Sequence, residues 1–316
     1  MGSPERPKLP VIDLTKKNVE PFGLTSWVST RKEVVRALED YGCFIAIYDK
    51  VPVELYNAVF NVSKEVHDLP IETKALNTSD TPSHGYVGQK PFIPLYEALG
   101  IENSTTLQGV QKFTNLMWPS GNQRFSETVF SYAKLVAELD EMIMRMVSES
   151  YGIEKHYEAL KESSSYLFKM FKYRPPNQNE TNFGIFPHTD YSFMTILQQH
   201  QIGGVQVKTE DRQWIPIDHP LISPSSFIIM AGDGCMVWTN GRIKSIEHSV
   251  IIKEKRYSVG LFTFIRDLKV EVPEELVDEE HPLQYKPFDH YKFVHFISSE
   301  EAKKLESPLK AYCGAP

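Results

Sequence analysis

His188-Thr189-Asp190 and, in a separate run downstream, His248 supply two imidazoles and one carboxylate. Such a set can occupy one face of an octahedral metal and leave three positions open for small molecules. Arg256-Tyr257-Ser258 follows. A guanidinium fork beside a hydroxyl suits a carboxylate cosubstrate placed next to such an ion, and Arg keeps its charge when buried. On a strand, residues two apart share a face. That parity predicts that His188 and Asp190 enter one cavity together. It also groups Arg256 and Ser258 with Gly260, Phe262 and Phe264, and groups Lys169 with Phe171 and Tyr173. A lone His-x-Asp is a weak signal in a chain with 10 histidines, since any one of them has a fair chance of such a neighbour. The register of Arg256 with Ser258, just after the third candidate ligand, sharpens it. The remaining histidines have no such partner, and His219 precedes Pro220 in a turn.

These residues need a scaffold, and the pattern changes midway along the chain. Pro10 to Leu14 reads as a short strand. Thr30 and Glu33 have capping-box spacing and predict a helix through Val34, Val35 and Leu38, stopped by Gly42. Cys43 to Tyr48 reads as a buried strand, and Leu55, Val59, Val62 and Val66 form the stripe of a second helix. The Pro/Gly-rich passage from Pro82 to about Gly121 reads as a structured loop packed over a pocket. The longest helix is predicted from Phe125 to Tyr151. From Tyr166 onward, short β-type runs broken by Pro, Gly and Asn point to a sandwich or barrel, and a helical pattern returns from Pro287.

At 316 residues the chain can bury a sizeable core. A formal net charge of -7 disfavours nucleic acid and anionic lipid as partners, and no apolar run approaches the length of a membrane span. Three widely spaced cysteines, Cys43, Cys235 and Cys313, give no disulfide framework. They fit a reducing compartment, so the expected location is cytoplasmic. The expected partner is a small-molecule substrate, and the expected state is a monomer.

Leu9-Pro10-Val11-Ile12-Asp13-Leu14, Tyr41-Gly42-Cys43-Phe44, His188-Thr189-Asp190, Gly203-Gly204-Val205-Gln206-Val207, Trp238-Thr239-Asn240-Gly241, His248 and Arg256-Tyr257-Ser258 occur in that order. Together they resemble the plant 2-oxoglutarate- and Fe(II)-dependent dioxygenases of the isopenicillin-N-synthase-like superfamily. The passage from His84 to Gly100 and the ending from Lys310 to Gly314 look closest to the AOP-type branch, which handles specialised small molecules. The resemblance implies a mixed α/β chain whose β-core is a double-stranded β-helix, or jelly roll, flanked by N-terminal helices. It implies an N-terminal region over residues 9–115 and a catalytic core over 116–316, in one compact unit. It implies Fe(II) on His188, Asp190 and His248, the distal carboxylate of 2-oxoglutarate on Arg256 and Ser258, and assistance from the Tyr173 hydroxyl. O2 is then the second cosubstrate, succinate and CO2 are co-products, and ascorbate supports activity.

This sequence departs from the family's usual pattern at three places. Phe171 stands where the family usually has Asn, Ser249 stands where it usually has Arg, and the stretch from His248 to Arg256 is short. The expected substrate pocket is lined by Lys169, Phe171, Phe186, Phe262 and Phe264, with Phe92 and Tyr96 from the Pro-rich passage. Aromatic walls with one Lys suit a hydrophobic small molecule carrying a polar or anionic end. Asp190 argues against halogenation, because a halide would need its coordination position. Two other readings remain open. One is an oxidase of the same fold that does not use 2-oxoglutarate, as aminocyclopropane-carboxylate oxidase does not. The other is a small-molecule binder that retained the fold without catalysis.

Overall fold

The structure is a computed structural model that describes residues 8–15, 24–218 and 221–315, so the turn expected at His219-Pro220 lies outside the described residues. Eleven strands build two facing sheets. In chain order they are β1 (Val11–Asp13), β2 (Cys43–Ile47), β3 (Tyr96–Glu102), β4 (Ser164–Tyr173), β5 (Phe183–His188) and β6 (Met194–His200), followed by β7 (Val205–Lys208), β8 (Trp214–Pro216), β9 (Ser226–Ala231), β10 (His248–Ile251) and β11 (Arg256–Ile265). The major sheet runs β1-β2-β9-β6-β11-β4-β3, and the minor sheet runs β5-β10-β7-β8. Two sheets of mainly antiparallel strands closing on each other form the expected jelly roll. β1, β2 and β3 belong to the major sheet, so the N-terminal region contributes strands to the catalytic core.

Alternation along β4 and β11 sets up both layers. Tyr166, Phe168 and Met170 point into the core shared with the helices, as do Tyr257, Val259 and Leu261 on β11. Phe171 and Tyr173 point the other way, into the core between the sheets. The outer face of the major sheet is covered by helices. α1 (Leu24–Tyr41), α2 (Val53–His67), α3 (Leu107–Met117) and α4 (Gln123–Tyr151) pack around one apolar cluster with Val59, Phe60, Val129 and Val136 at its centre. Asn122 caps α4 by accepting the Phe125 N–H at 3.0 Å, and Gly152 ends it at φ 67.

Two expectations about elements are corrected. The first helix begins at Leu24, so Thr30 and Glu33 lie inside it rather than at its start. Its first turns are held from a distance: Trp27 Nε1 and Arg31 Nη1 both donate to Glu149 near the end of α4, at 2.7 and 3.0 Å. The Pro-rich passage is likewise not all loop, since it contains β3 and α3. β3 hides in the sequence because Gly100 interrupts it. A Cβ there would come within 1.9 Å of the His84 carbonyl oxygen, so backbone packed against backbone requires glycine.

Candidate active site

His188 ends β5, His248 opens β10, and the two are direct partners across the antiparallel ladder. Their rings lie 4.3 Å apart between centroids. Asp190 does not share the strand with His188, as parity predicted; it reaches the site from the turn beyond β5. That turn is pinned by backbone bonds: the Asp190 carbonyl accepts the Asp233 N–H at 2.8 Å and the Ser192 carbonyl accepts the Gly234 N–H at 3.1 Å. A Cβ on Gly232 would meet the Ser192 carbonyl oxygen at 2.1 Å, so only glycine allows this approach.

His188 Nε2 lies 3.7 Å from Asp190 Oδ1, and His248 Nε2 lies 3.8 Å from Asp190 Oδ2. One donor atom from each residue falls within 4.8 Å of the other two. The opposite ring nitrogens are occupied. His188 Nδ1 sits 2.8 Å from the Phe186 carbonyl oxygen, and His248 Nδ1 sits 3.2 Å from that of Ile246. Assigning both protons to Nδ1, where carbonyls accept them, leaves each Nε2 lone pair facing the site. Burial and the neighbouring His248 push the His188 imidazole down to about 4, so it is neutral near pH 7. Thr195 Oγ1 donates to Asp190 Oδ2 at 2.7 Å and orients the carboxylate. The donor set is therefore complete, neutral at the imidazole where a ligand must be, and braced from behind, which fits a divalent iron.

Arg256, the first residue of β11, pairs across the ladder with Tyr173 on β4. It is only 1% exposed. Nη1 donates to Ser258 Oγ at 3.0 Å and Nη2 donates to Gln199 Oε1 at 2.9 Å, while Nε is buried without a partner. Its Cζ lies 4.9 Å from the centre of the Tyr173 ring. Burial raises the Tyr173 hydroxyl to about 12 against the pull of the Arg256 charge, so it stays protonated and able to donate. A buried guanidinium held by neutral groups, with Nε wholly unpartnered and further N–H groups to spare, fits an incoming carboxylate.

His188, Asp190, His248, Thr195, Arg256, Ser258 and Tyr173 all face one cavity of about 510 Å³ between the sheets. Lys169, Phe171, Tyr96, Phe262 and Phe264 line it as expected, and Phe92 lines its mouth, 68% exposed. Phe186 does not line it. It is exposed and stacks on Phe183 at 5.2 Å. The cause is a register irregularity. Opposite His248 and Val250 stand His188 and Ile185, so three steps on β5 match two on β10. The bulge reverses parity, and Ile185 takes the inward place assigned to Phe186. Gln199 and Thr195 were missed as supporting residues. β6 parity with the inward Leu197 was the available signal, since all three are two apart.

The 2OG-Fe(II) oxygenase superfamily profile matches residues 163–265, and that of the non-haem dioxygenase in morphine synthesis N-terminal region matches residues 9–93. The probable 2-oxoglutarate-dependent dioxygenase AOP1.2 of Arabidopsis thaliana is 40% identical over 96% of this chain and 95% of its own length. Among solved structures, rice dioxygenase for auxin oxidation superposes with a TM-score of 0.81 at 27% identity, covering 98% of this chain and 100% of that one. The 2-oxoglutarate complex of Arabidopsis thaliana dioxygenase for auxin oxidation 1 superposes with a TM-score of 0.78 at 29% identity, covering 87% of this chain and 100% of that one. This chain belongs to the 2-oxoglutarate- and Fe(II)-dependent oxygenases and is a dioxygenase that works with Fe(II) and 2-oxoglutarate.

Proposed function

We propose that His188, Asp190 and His248 hold the Fe(II), and that Arg256 and Ser258, with the Tyr173 hydroxyl beside them, hold the distal carboxylate of 2-oxoglutarate. Iron held there would supply the O2 chemistry in which 2-oxoglutarate is decarboxylated to succinate and CO2 and an unactivated C–H bond of a second molecule is oxidised. The side chains position and exclude. Arg256 fixes the cosubstrate by charge, Thr195 keeps Asp190 turned inward, and Phe171, Phe262 and Phe264 keep water from the reacting carbon. The second molecule is a hydrophobic small compound of plant specialised or hormone metabolism. Resemblance to a probable 2-oxoglutarate-dependent dioxygenase and to proteins described as acting in auxin oxidation supports that class. Three buried free cysteines support a reducing, cytoplasmic setting.

One observation carries this reading: Arg256 is a buried cation with an unpartnered N–H, facing the same cavity as the three candidate metal donors. An oxidase that does without 2-oxoglutarate leaves the cosubstrate unconsumed. The test is anaerobic Fe(II) titration followed by aerobic succinate measurement with ascorbate present. Stoichiometric Fe(II) binding and slow, substrate-independent succinate formation are expected. Iron binding without any 2-oxoglutarate consumption would overturn the proposal.

A further inference from the structure

The cavity contains a second buried cation, which the cosubstrate does not need. Lys169 sits near the middle of β4 and is 8% exposed. Its Nζ lies 5.5 Å from the centre of the Phe171 ring and 5.8 Å from that of Phe262. Among the described residues no hydrogen bond or ion pair reaches this ammonium, although elsewhere a buried lysine is fully served: Lys74 Nζ donates to the His67 carbonyl at 2.8 Å and pairs with Glu97. Both ladder neighbours of Lys169 are glycines, Gly100 on β3 and Gly260 on β11. No directly paired side chain on either flanking strand therefore stands beside it, and the Phe262 ring reaches it from two residues along β11. Burial lowers Lys169 to about 8, with Asp190 opposing, so it is still mostly charged at pH 7.

A charge kept in an apolar box without a partner is costly, and protein sites normally supply one. Here the aromatic rings give partial compensation only. Asp190 is the carboxylate that acts on Lys169 from within the site, and the metal face takes it.

Resting on the proposed function above, we propose that Lys169 binds a carboxylate of the substrate, so that the enzyme acts on small apolar carboxylic acids. The apolar part of the acid then fills the space bounded by Phe171, Phe262, Phe264 and Tyr96. The anchored carboxylate sets which C–H faces the metal donors. Lys169 is thus a specificity-determining residue. An ammonium can discriminate an acid from its neutral amide by roughly tenfold to a hundredfold, the range of a charge-assisted hydrogen bond.

The experiment uses the full chain holding Zn(II) in place of Fe(II), with 2-oxoglutarate, so that nothing turns over. Dissociation constants are measured by ligand-detected NMR for phenylacetate, 3-phenylpropionate and cinnamate, each against its primary amide. The acids are expected to bind at least tenfold tighter than the amides. Lys169→Met should bring that ratio to near one, and Lys169→Arg should keep the preference. No acid preference in the unmodified chain overturns the proposal, as does a preference that survives Lys169→Met. The affinity for 2-oxoglutarate is measured in the same samples. If Lys169→Met weakens 2-oxoglutarate instead and leaves the acid-to-amide ratio intact, the ammonium serves the cosubstrate and the proposal falls. Failure of the unmodified chain to bind 2-oxoglutarate at all sinks the cosubstrate assignment, a result distinct from the other three.

Discussion

Arg256 and Lys169 are two cations buried in one cavity, on adjacent strands of one sheet, and the structure treats them in opposite ways. Arg256 is tied by Ser258 and Gln199 and lies against the Tyr173 ring, while Lys169, with no hydrogen bond or ion pair among the described residues, has the Phe171 and Phe262 rings near its ammonium and glycines as its ladder partners. A guanidinium fork offers several donors, so some can be spent on the scaffold while others stay free for a ligand. That arrangement fixes position before the ligand arrives and suits a cosubstrate that never changes. A lysine on a flexible stem, with all three donors free, fits a ligand whose length the protein does not dictate in advance. On the proposed reading, one end of the cavity serves a constant molecule and the other the molecule that defines this enzyme.

Neither end matters if the metal donors are lost, so the largest effect is expected there. His248→Ala should reduce succinate formation below detection and abolish stoichiometric Fe(II) binding, with the circular dichroism spectrum unchanged. Full activity would remove His248 from the metal site. At the constant end, Arg256→Lys keeps the charge and loses the fork. The KM for 2-oxoglutarate should rise about tenfold or more, the loss expected for one charge-assisted bond. An unchanged KM would place the cosubstrate elsewhere. Gln199→Leu goes one step back from the ligand. Gln199 holds Arg256, accepts the Val205 N–H at 3.3 Å and donates to the Ile217 carbonyl at 2.9 Å. Its loss should lower stability by about 1–3 kcal/mol in urea unfolding and raise the KM for 2-oxoglutarate by a smaller factor than Arg256→Lys does. A KM change larger than that of Arg256→Lys would mean that Gln199 itself meets the cosubstrate.

The same contrast explains what the sequence could and could not reveal. Strand parity placed Lys169, Phe171, Tyr173, Arg256, Ser258, Phe262 and Phe264 correctly, because β4 and β11 pair without a break over ten residues. It misplaced Phe186 because the bulge on β5 is a property of its pairing with β10, marked locally only by Pro187. Asp190 reached the site although it lies beyond the strand, held by backbone bonds to the start of the Asp233–Trp238 helix, far along the chain. The early start of α1 was hidden for a similar reason: Trp27 and Arg31 are fixed by Glu149, a partner no local window contains. What was legible depends on repeating local geometry, and what was missed depends on one long-range contact.

The smallest expected effect tests the variable end at its mouth. Phe92 lines the cavity opening yet is 68% exposed, so it contributes little packing to the empty protein. Phe92→Ala should change unfolding stability by no more than about 0.5 kcal/mol. A bound ligand would cover part of that ring, and the loss of some tens of Å² of apolar contact corresponds to about 1 kcal/mol, or roughly fivefold in affinity. That loss should fall equally on an acid and on its amide, because an apolar wall does not read charge. Lys169→Met should do the reverse and act on the acid alone. If Phe92→Ala instead altered the acid-to-amide ratio, the mouth and the ammonium would be acting as one unit. The separation of apolar fit from charge recognition within this end of the cavity would then be wrong.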